Sequence, residues 1–120
     1  MLKVIAVFFA ITASLAGGCE KKEPNKQESK SCLEKLRAQL ESQPARIPAA
    51  SIWQYTYHDS IVYLVAAPCC DQFNPLYDED CKIICHPDGG ITGKGDRRCT
   101  DFHSKATNKK LVWTDPRSGK

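Results

Sequence analysis

The chain has 120 residues, 42% of them hydrophobic, and its 17 basic and 14 acidic residues give a formal net charge of +3. This length suffices for one small domain. A charge so small and so scattered does not support electrostatic binding of nucleic acid, which requires a concentrated basic patch, and we expect no nucleic-acid partner.

The first 18 residues are typical of a signal peptide. Lys3 supplies a positive charge, and residues 4–15 follow it without any charged side chain. A membrane-spanning helix needs about 20 apolar residues. The run is therefore too short for a permanent span, and residues 1–18 are predicted to be an export signal.

The segment 15–19, Leu-Ala-Gly-Gly-Cys, resembles a lipobox, although Ala16 stands where leucine is commonest. Cleavage by an ordinary signal peptidase after Ser14-Leu15-Ala16 is the alternative. The seven cysteines favour lipidation, because acylation of Cys19 leaves six that can all pair in an oxidising compartment. We therefore predict an exported protein anchored by a lipid on Cys19 to a bacterial cell membrane. The expected location is the outer membrane, on its periplasmic face or at the cell surface.

Residues 19–30 are predicted to be the lipidated cysteine and a flexible polar tether, since 20–30 contain no aliphatic or aromatic side chain. Residues 31–117 are predicted to form one cysteine-rich domain, and 118–120 a tail. A domain of this size buries little more than about 60% of its unfolded surface. Disulfide bonds are the expected additional source of stability.

The domain is predicted to begin with a helix. Ser31 and Glu34 have the spacing of a capping box, and Leu33, Leu36 and Leu40 recur at helical intervals. We expect the helix to run from Cys32 to about Ser42, because Gln43 precedes a proline and such residues avoid helical angles.

The rest of the domain is predicted to contain strands. From residue 51 the period becomes two, with Trp53, Tyr55 and Tyr57 on one face, and residues 61–65 are apolar on both faces, as in a central strand. A turn at 58–60 separates these strands, and further strands are expected at 81–85 and 110–114. The predicted fold is α+β: one N-terminal helix packed on a three- to four-stranded antiparallel sheet, stapled by disulfides. Two turn-rich loops are expected at 71–80 and 86–96.

Six cysteines are expected to form disulfides, but six allow 15 pairings and the sequence does not choose among them. Cys81 and Cys85 would lie about 13 Å apart on an extended strand, so they are not expected to bond to each other. A bond between the adjacent Cys69 and Cys70 would be strained. We expect these two cysteines to form disulfides on opposite sides of the sheet, because successive residues of a strand point to opposite faces. The six are Cys32, Cys69, Cys70, Cys81, Cys85 and Cys99.

Other chemistries for these residues are less favoured. A zinc site could draw on Cys81, Cys85, His86 and Cys99, and the Cys-Lys-Ile-Ile-Cys-His run resembles a variant haem attachment site. A thiol oxidoreductase usually has a pair of cysteines separated by two residues, and the sequence contains no such pair. An enzyme could use His86 with Asp88 or Asp96 as acid and base, but no nucleophile is evident. We expect neither an enzyme nor a bound cofactor.

The loop at 86–96 contains four glycines within seven residues, which indicates backbone with positive φ angles. Six aspartates in and around the two loops could supply oxygen ligands to calcium, although Asx turns explain the same composition without an ion. A calcium-dependent module is therefore the alternative function. The candidate ligands are Asp71, Asp78, Asp80, Asp88, Asp96 and Asp101.

Four motifs carry a family resemblance: Val-Tyr-x-Val at 62–65, Cys-Cys-Asp-Gln-Phe-Asn-x-Leu-Tyr-Asp at 69–78, the glycine-rich run from Ile84 to Phe102, and Val-Trp-x-Asp-x-Arg at 112–117. Together they are similar to a family of small exported bacterial lipoproteins with a cysteine-rich domain of unknown function. The resemblance implies export, one domain and disulfides, and it implies no activity.

The sequence thus predicts a non-enzymatic binding or interaction module, tethered to a membrane outside the cytoplasm, with an unknown protein or other envelope ligand as its partner. A small hydrolase inhibitor is one version of this function, and a small hydrolase or redox protein is a further alternative.

Overall fold

The computed structural model describes residues 30–69 and 71–117. The predicted signal peptide, Cys19, the tether before residue 30, Cys70 and the tail lie outside the described residues. Within the described ranges, no helix is both long and apolar enough to cross a membrane.

The domain is α+β, as predicted, but its sheet has five antiparallel strands rather than three or four, and a second short helix is present. The sheet order is β4-β3-β2-β1-β5. In chain order the elements are α1 (Cys32–Glu41), β1 (Ser51–Tyr57), β2 (Ser60–Val65), β3 (Phe73–Tyr77), β4 (Ile83–Gly89), α2 (Phe102–Lys105) and β5 (Thr107–Thr114).

The helix α1 begins with the predicted capping box. Glu34 N–H donates to Ser31 Oγ at 3.3 Å, and Ser31 N–H donates to the Glu34 carboxylate at 3.0 Å. These bonds satisfy two of the amide groups that a helix N-terminus leaves without partners. The helix buries Leu36 and Leu40 against one face of the sheet, where they pack with Ile52 and Val65.

The two faces of the sheet are covered differently. The face opposite α1 is covered by residues 90–106, which cross from β4 at one edge to β5 at the other and bury Phe102 completely. The alternation predicted for β1 is confirmed, because Trp53, Tyr55 and Tyr57 belong to this second core and Ile52 to the first. The prediction of a central β2 is also confirmed.

Two strand predictions are wrong. Residues 73–77, expected within a loop, form β3, and β4 spans Ile83–Gly89 rather than Cys81–Cys85. Proline usually interrupts strands, because it cannot donate to the ladder. Pro75 lies where the β3–β4 register shifts, and Pro87 lies on the edge strand β4, so both positions tolerate it.

The domain has two ends along the strand direction. We call the end with residue 30, the turn at 58–59 and the loop 78–82 the entry end, since a Cys32–Cys81 disulfide holds the start of α1 there. The opposite end, with residues 46–48, 66–69, 71–72 and 89–95, is called the far end. The last turn of α1 reaches it, because the Leu40 carbonyl accepts a hydrogen bond from Arg117, just beyond β5.

Candidate functional site

An open groove of about 510 Å³ lies at the far end. A smaller cleft of about 210 Å³ between α1 and β3 adjoins it, and the two share Gln72 and the segment 66–68. None of the residues that line the groove is charged. They are Ile47, Pro48, Ala66, Ala67, Pro68, Cys69, Gln72, Asn74 and Gly89.

Side-chain hydrogen bonds hold the groove wall at 66–68, which is neither helix nor strand. The Arg46 guanidinium donates to the Ala66 carbonyl at 2.9 Å and to Gln43 Oε1 at 3.2 Å. From the other side, Ala67 N–H donates to Asn74 Oδ1 at 2.7 Å, and the Asn74 amide donates to Asp88 at 2.6 Å. The wall is therefore fixed between the loop after α1 and strand β3.

An ion pair between a buried carboxylate and an exposed guanidinium lies at the far end. Arg117 Nη2 lies 2.8 Å from Asp115 Oδ2, and the Asp115 side chain is only 1% exposed. Hydrogen bonds from Arg117 hold the pKa of Asp115 below its usual range. The same guanidinium donates to the carbonyls of Leu40, Glu41 and Gln43, which caps the C-terminus of α1.

The glycine loop, residues 89–96, begins at the groove, which its first residue, Gly89, lines. Gly90 N–H donates to the Gln72 carbonyl at 3.0 Å, and Gly93 N–H donates to the Gly90 carbonyl at 3.1 Å, so residues 90–93 form a tight turn. Ile91 stands at its tip and is 91% exposed. The amides of Gly95 and Asp96 donate to the β4 carbonyls of Gly89 and His86 and so cover part of the outer edge of β4, which would otherwise offer unpaired backbone groups.

Gly95 shows why this loop requires glycine. Its φ angle is +63°, and a Cβ atom there would overlap the carbonyl oxygen of His86. An alanine would therefore force the loop away from β4, in addition to the cost of a left-handed conformation.

Asp96 fixes the base of the loop. Its carboxylate accepts hydrogen bonds from the His86 amide at 3.0 Å, from the Arg98 amide at 3.0 Å and from Arg98 Nε at 2.9 Å, and His86 Nδ1 lies 2.9 Å from it. Burial alone would raise the pKa of Asp96, but these hydrogen bonds outweigh burial and hold it well below its usual range. Asp96 is thus a charged anchor between β4 and the loop.

The other candidate calcium ligands are dispersed. Asp88 pairs with His103 at 2.9 Å, Asp101 accepts a hydrogen bond from the Tyr57 hydroxyl, and Asp78 accepts one from the Lys82 amide. Asp71 and Asp80 are exposed. Within residues 30–69 and 71–117, no three His, Cys, Asp or Glu residues are grouped so as to hold a metal. Calcium binding stays a prediction.

Disulfide bonds are present, as predicted, in two pairs: Cys32–Cys81 and Cys85–Cys99. Cys81 and Cys85 indeed bond elsewhere, although Cys81 precedes the strand. These bonds occupy the sulfur atoms on which a zinc site or a haem attachment at Cys81, Cys85 and Cys99 would draw, so the structure favours disulfides at these positions. The bonding predicted for Cys70 falls outside the described residues, and Cys69 lies in the groove wall.

The acid–base pair considered for an enzyme exists only in part. His86 contacts Asp96, whereas Asp88 contacts His103 instead. Neither His86 nor Asp96 lines the groove or the cleft. The contact between them joins the loop to β4.

Sequence analysis did not identify the groove residues. Ile47, Pro48 and Pro68 lie in segments without periodicity, and they meet only because α1 and the sheet bring the loops at 46–48 and 66–69 together. The one available signal was the isolated isoleucine between Arg46 and Pro48, an apolar residue in a turn-rich stretch.

Comparison with known proteins identifies a family. The model of a domain of unknown function, DUF6970, matches residues 38–115. No curated protein and no solved structure matches the chain. Since the match covers more than half of the chain, the protein belongs to the DUF6970 family.

Proposed function

We propose that the protein is a non-enzymatic binding module, tethered to a membrane outside the cytoplasm, whose far end contacts its partner. One observation carries the proposal. Of the large apolar side chains in the described residues, the two most exposed are Ile47 at 82% and Ile91 at 91%. Ile47 lines the uncharged groove, and Ile91 lies in the loop that continues from the groove residue Gly89. Exposed apolar surface beside a groove marks interaction sites more often than isolated apolar residues do.

The rigidity of the far end favours binding. Arg46 and Asn74 hold the groove wall, and Asp96 holds the glycine loop. A surface that is already ordered loses little conformational entropy on association, which leaves more of the contact energy for affinity.

The position of the tether agrees with this assignment. The chain enters the domain at residue 30, and the ten residues of α1 then span about 15 Å toward the far end. A lipid on Cys19 with the tether 19–30 would therefore attach the entry end and leave the groove facing away from the membrane. We include this anchor, and export by the signal 1–18, in the proposal.

The glycine loop limits how the module could inhibit a hydrolase. Residues 90–93 form a hydrogen-bonded turn, whereas a substrate-like inhibitor presents an extended segment. An inhibitor built on this loop would block an active site as a compact plug, with Ile91 at its tip.

Photo-crosslinking in the native envelope tests the proposal. A photoreactive amino acid is placed at Ile47 in the full chain, and at Ile83 as the matched control, since Ile83 is 48% exposed but lies toward the entry end. We expect a discrete adduct from position 47 that position 83 does not give. Equal adducts from both positions, or adducts from position 83 alone, would contradict the assignment of the contact surface to the far end.

A further inference from the structure

Exposed charged side chains lie at both ends of the domain. At the entry end, the turn at 58–59 and the loop 78–82 contain four acidic residues, Asp59, Asp78, Glu79 and Asp80, together with the basic Lys82. The glycine loop and the residues that follow it carry three exposed cations: Lys94, Arg97 and Arg98.

Two of these cations are available to a partner. Arg98 already pairs with Asp96 at 2.9 Å. Lys94 and Arg97 take part in none of the ion pairs within residues 30–69 and 71–117. The far end also has an exposed carboxylate, Asp71, which takes part in none of these ion pairs.

We propose that the glycine loop docks on an acidic protein surface, with Ile91 in an apolar pocket and with Lys94 and Arg97 facing carboxylates around it. This inference rests on the proposed function and names the chemistry of its partner. The loop combines an apolar tip with flanking unpaired cations, and complementary charges at an interface rim accelerate association and exclude wrong partners.

A protein surface fits the loop better than a lipid surface does. The loop presents a single apolar side chain on a narrow turn whose backbone is bonded to Gln72 and to β4. A pocket can enclose such a side chain on all sides. Stable interfacial anchoring on lipid instead draws on a wide apolar face with several cations. The loop also lies at the end opposite the entry of the tether.

The test uses the full chain in its native envelope, with the photoreactive amino acid at position 91. We expect a protein adduct whose yield falls about tenfold when Lys94→Glu and Arg97→Glu are combined, and which falls similarly at high ionic strength. Lys110→Glu, an exposed lysine on the opposite edge strand β5, is the matched control and should leave the yield unchanged. The melting temperature of each variant confirms that it is folded.

Three results would overturn the inference: a lipid adduct, no adduct at position 91, or a protein adduct indifferent to the charge reversal. If the position 47 adduct persists in any of these cases, the proposed function stands and only the partner chemistry fails. If neither position gives an adduct, both fail.

Discussion

Replacing Asp96 with asparagine tests whether one carboxylate holds the glycine loop against β4. The side chain keeps its shape but loses its charge, and its amide group must face donors from His86 and Arg98. A hydrogen bond to a charged group contributes about 1.5–3 kcal/mol. Several such bonds to one group are not additive, so we expect the free energy of unfolding to fall by about 3 kcal/mol. For a domain of this size the melting temperature would drop by at least about 10 °C.

The loss should depend on pH in a definite direction. Because the folded state lowers the pKa of Asp96, its contribution is complete above the usual value of 3.8, declines as the pH falls below 3.8, and is lost as the pH falls through the lowered pKa of the folded state. Thermal unfolding followed by circular dichroism should thus separate wild type from Asp96→Asn widely at pH 7 and less at pH 2. Asp71→Asn, at an exposed carboxylate, is the control and should change stability by less than about 0.5 kcal/mol. A deficit that is absent at pH 7, or equal at both pH values, would refute the account of the loop.

Four further predictions concern other parts of the molecule. Replacing Cys85 and Cys99 together by alanine should cost about 3 kcal/mol in chemical denaturation, because their bond closes a loop with a sequence separation of 14; no loss would argue against the bond. Burial, and then the hydrogen bond to Asp101, raises the pKa of Tyr57 to about 12, so ultraviolet titration should show a late phenolate and stability should decline between pH 10 and 12; ionisation near pH 10 would contradict this. Millimolar calcium, compared with chelator, should move the melting temperature by less than about 3 °C, since most of the candidate carboxylates have partners, whereas a tight site would give about 10 °C or more. Fatty-acid labelling should mark the wild type but not Cys19→Ala, and an unlabelled wild type would remove the anchor from the proposal.

Local signals predicted the elements that local interactions determine. The helix α1 followed from its capping box and leucine spacing, β1 from alternation, and β2 from a run that is apolar on both faces. The turn predicted at 58–60 is present, although Ser60 already belongs to β2. His58 and Asp59 have the positive φ angles, 48° and 60°, that a two-residue hairpin requires.

The strand β3 was not predicted, and β4 was predicted with the wrong bounds, because both sequences resemble those of loops. Pro75 and Pro87 are tolerated only because of where the strands lie in the finished sheet, at a register shift and at an edge. The glycine loop was predicted to be turn-rich, with positive φ angles, but its role in covering the β4 edge depends on the contact of Asp96 with His86. The groove could not be predicted at all, since its walls come from segments that are distant in sequence and have no pattern of their own.

Covalent footprinting of the full chain most directly tests the claim that the far end is the contact surface. Side-chain labelling in the intact envelope is compared with labelling of the detergent-purified protein, residue by residue. The account predicts lower labelling in the envelope at 46–48, 66–69, 71–72 and 89–95, with the acidic loop 78–82 unchanged. Protection of 78–82 with the groove unaffected would contradict it.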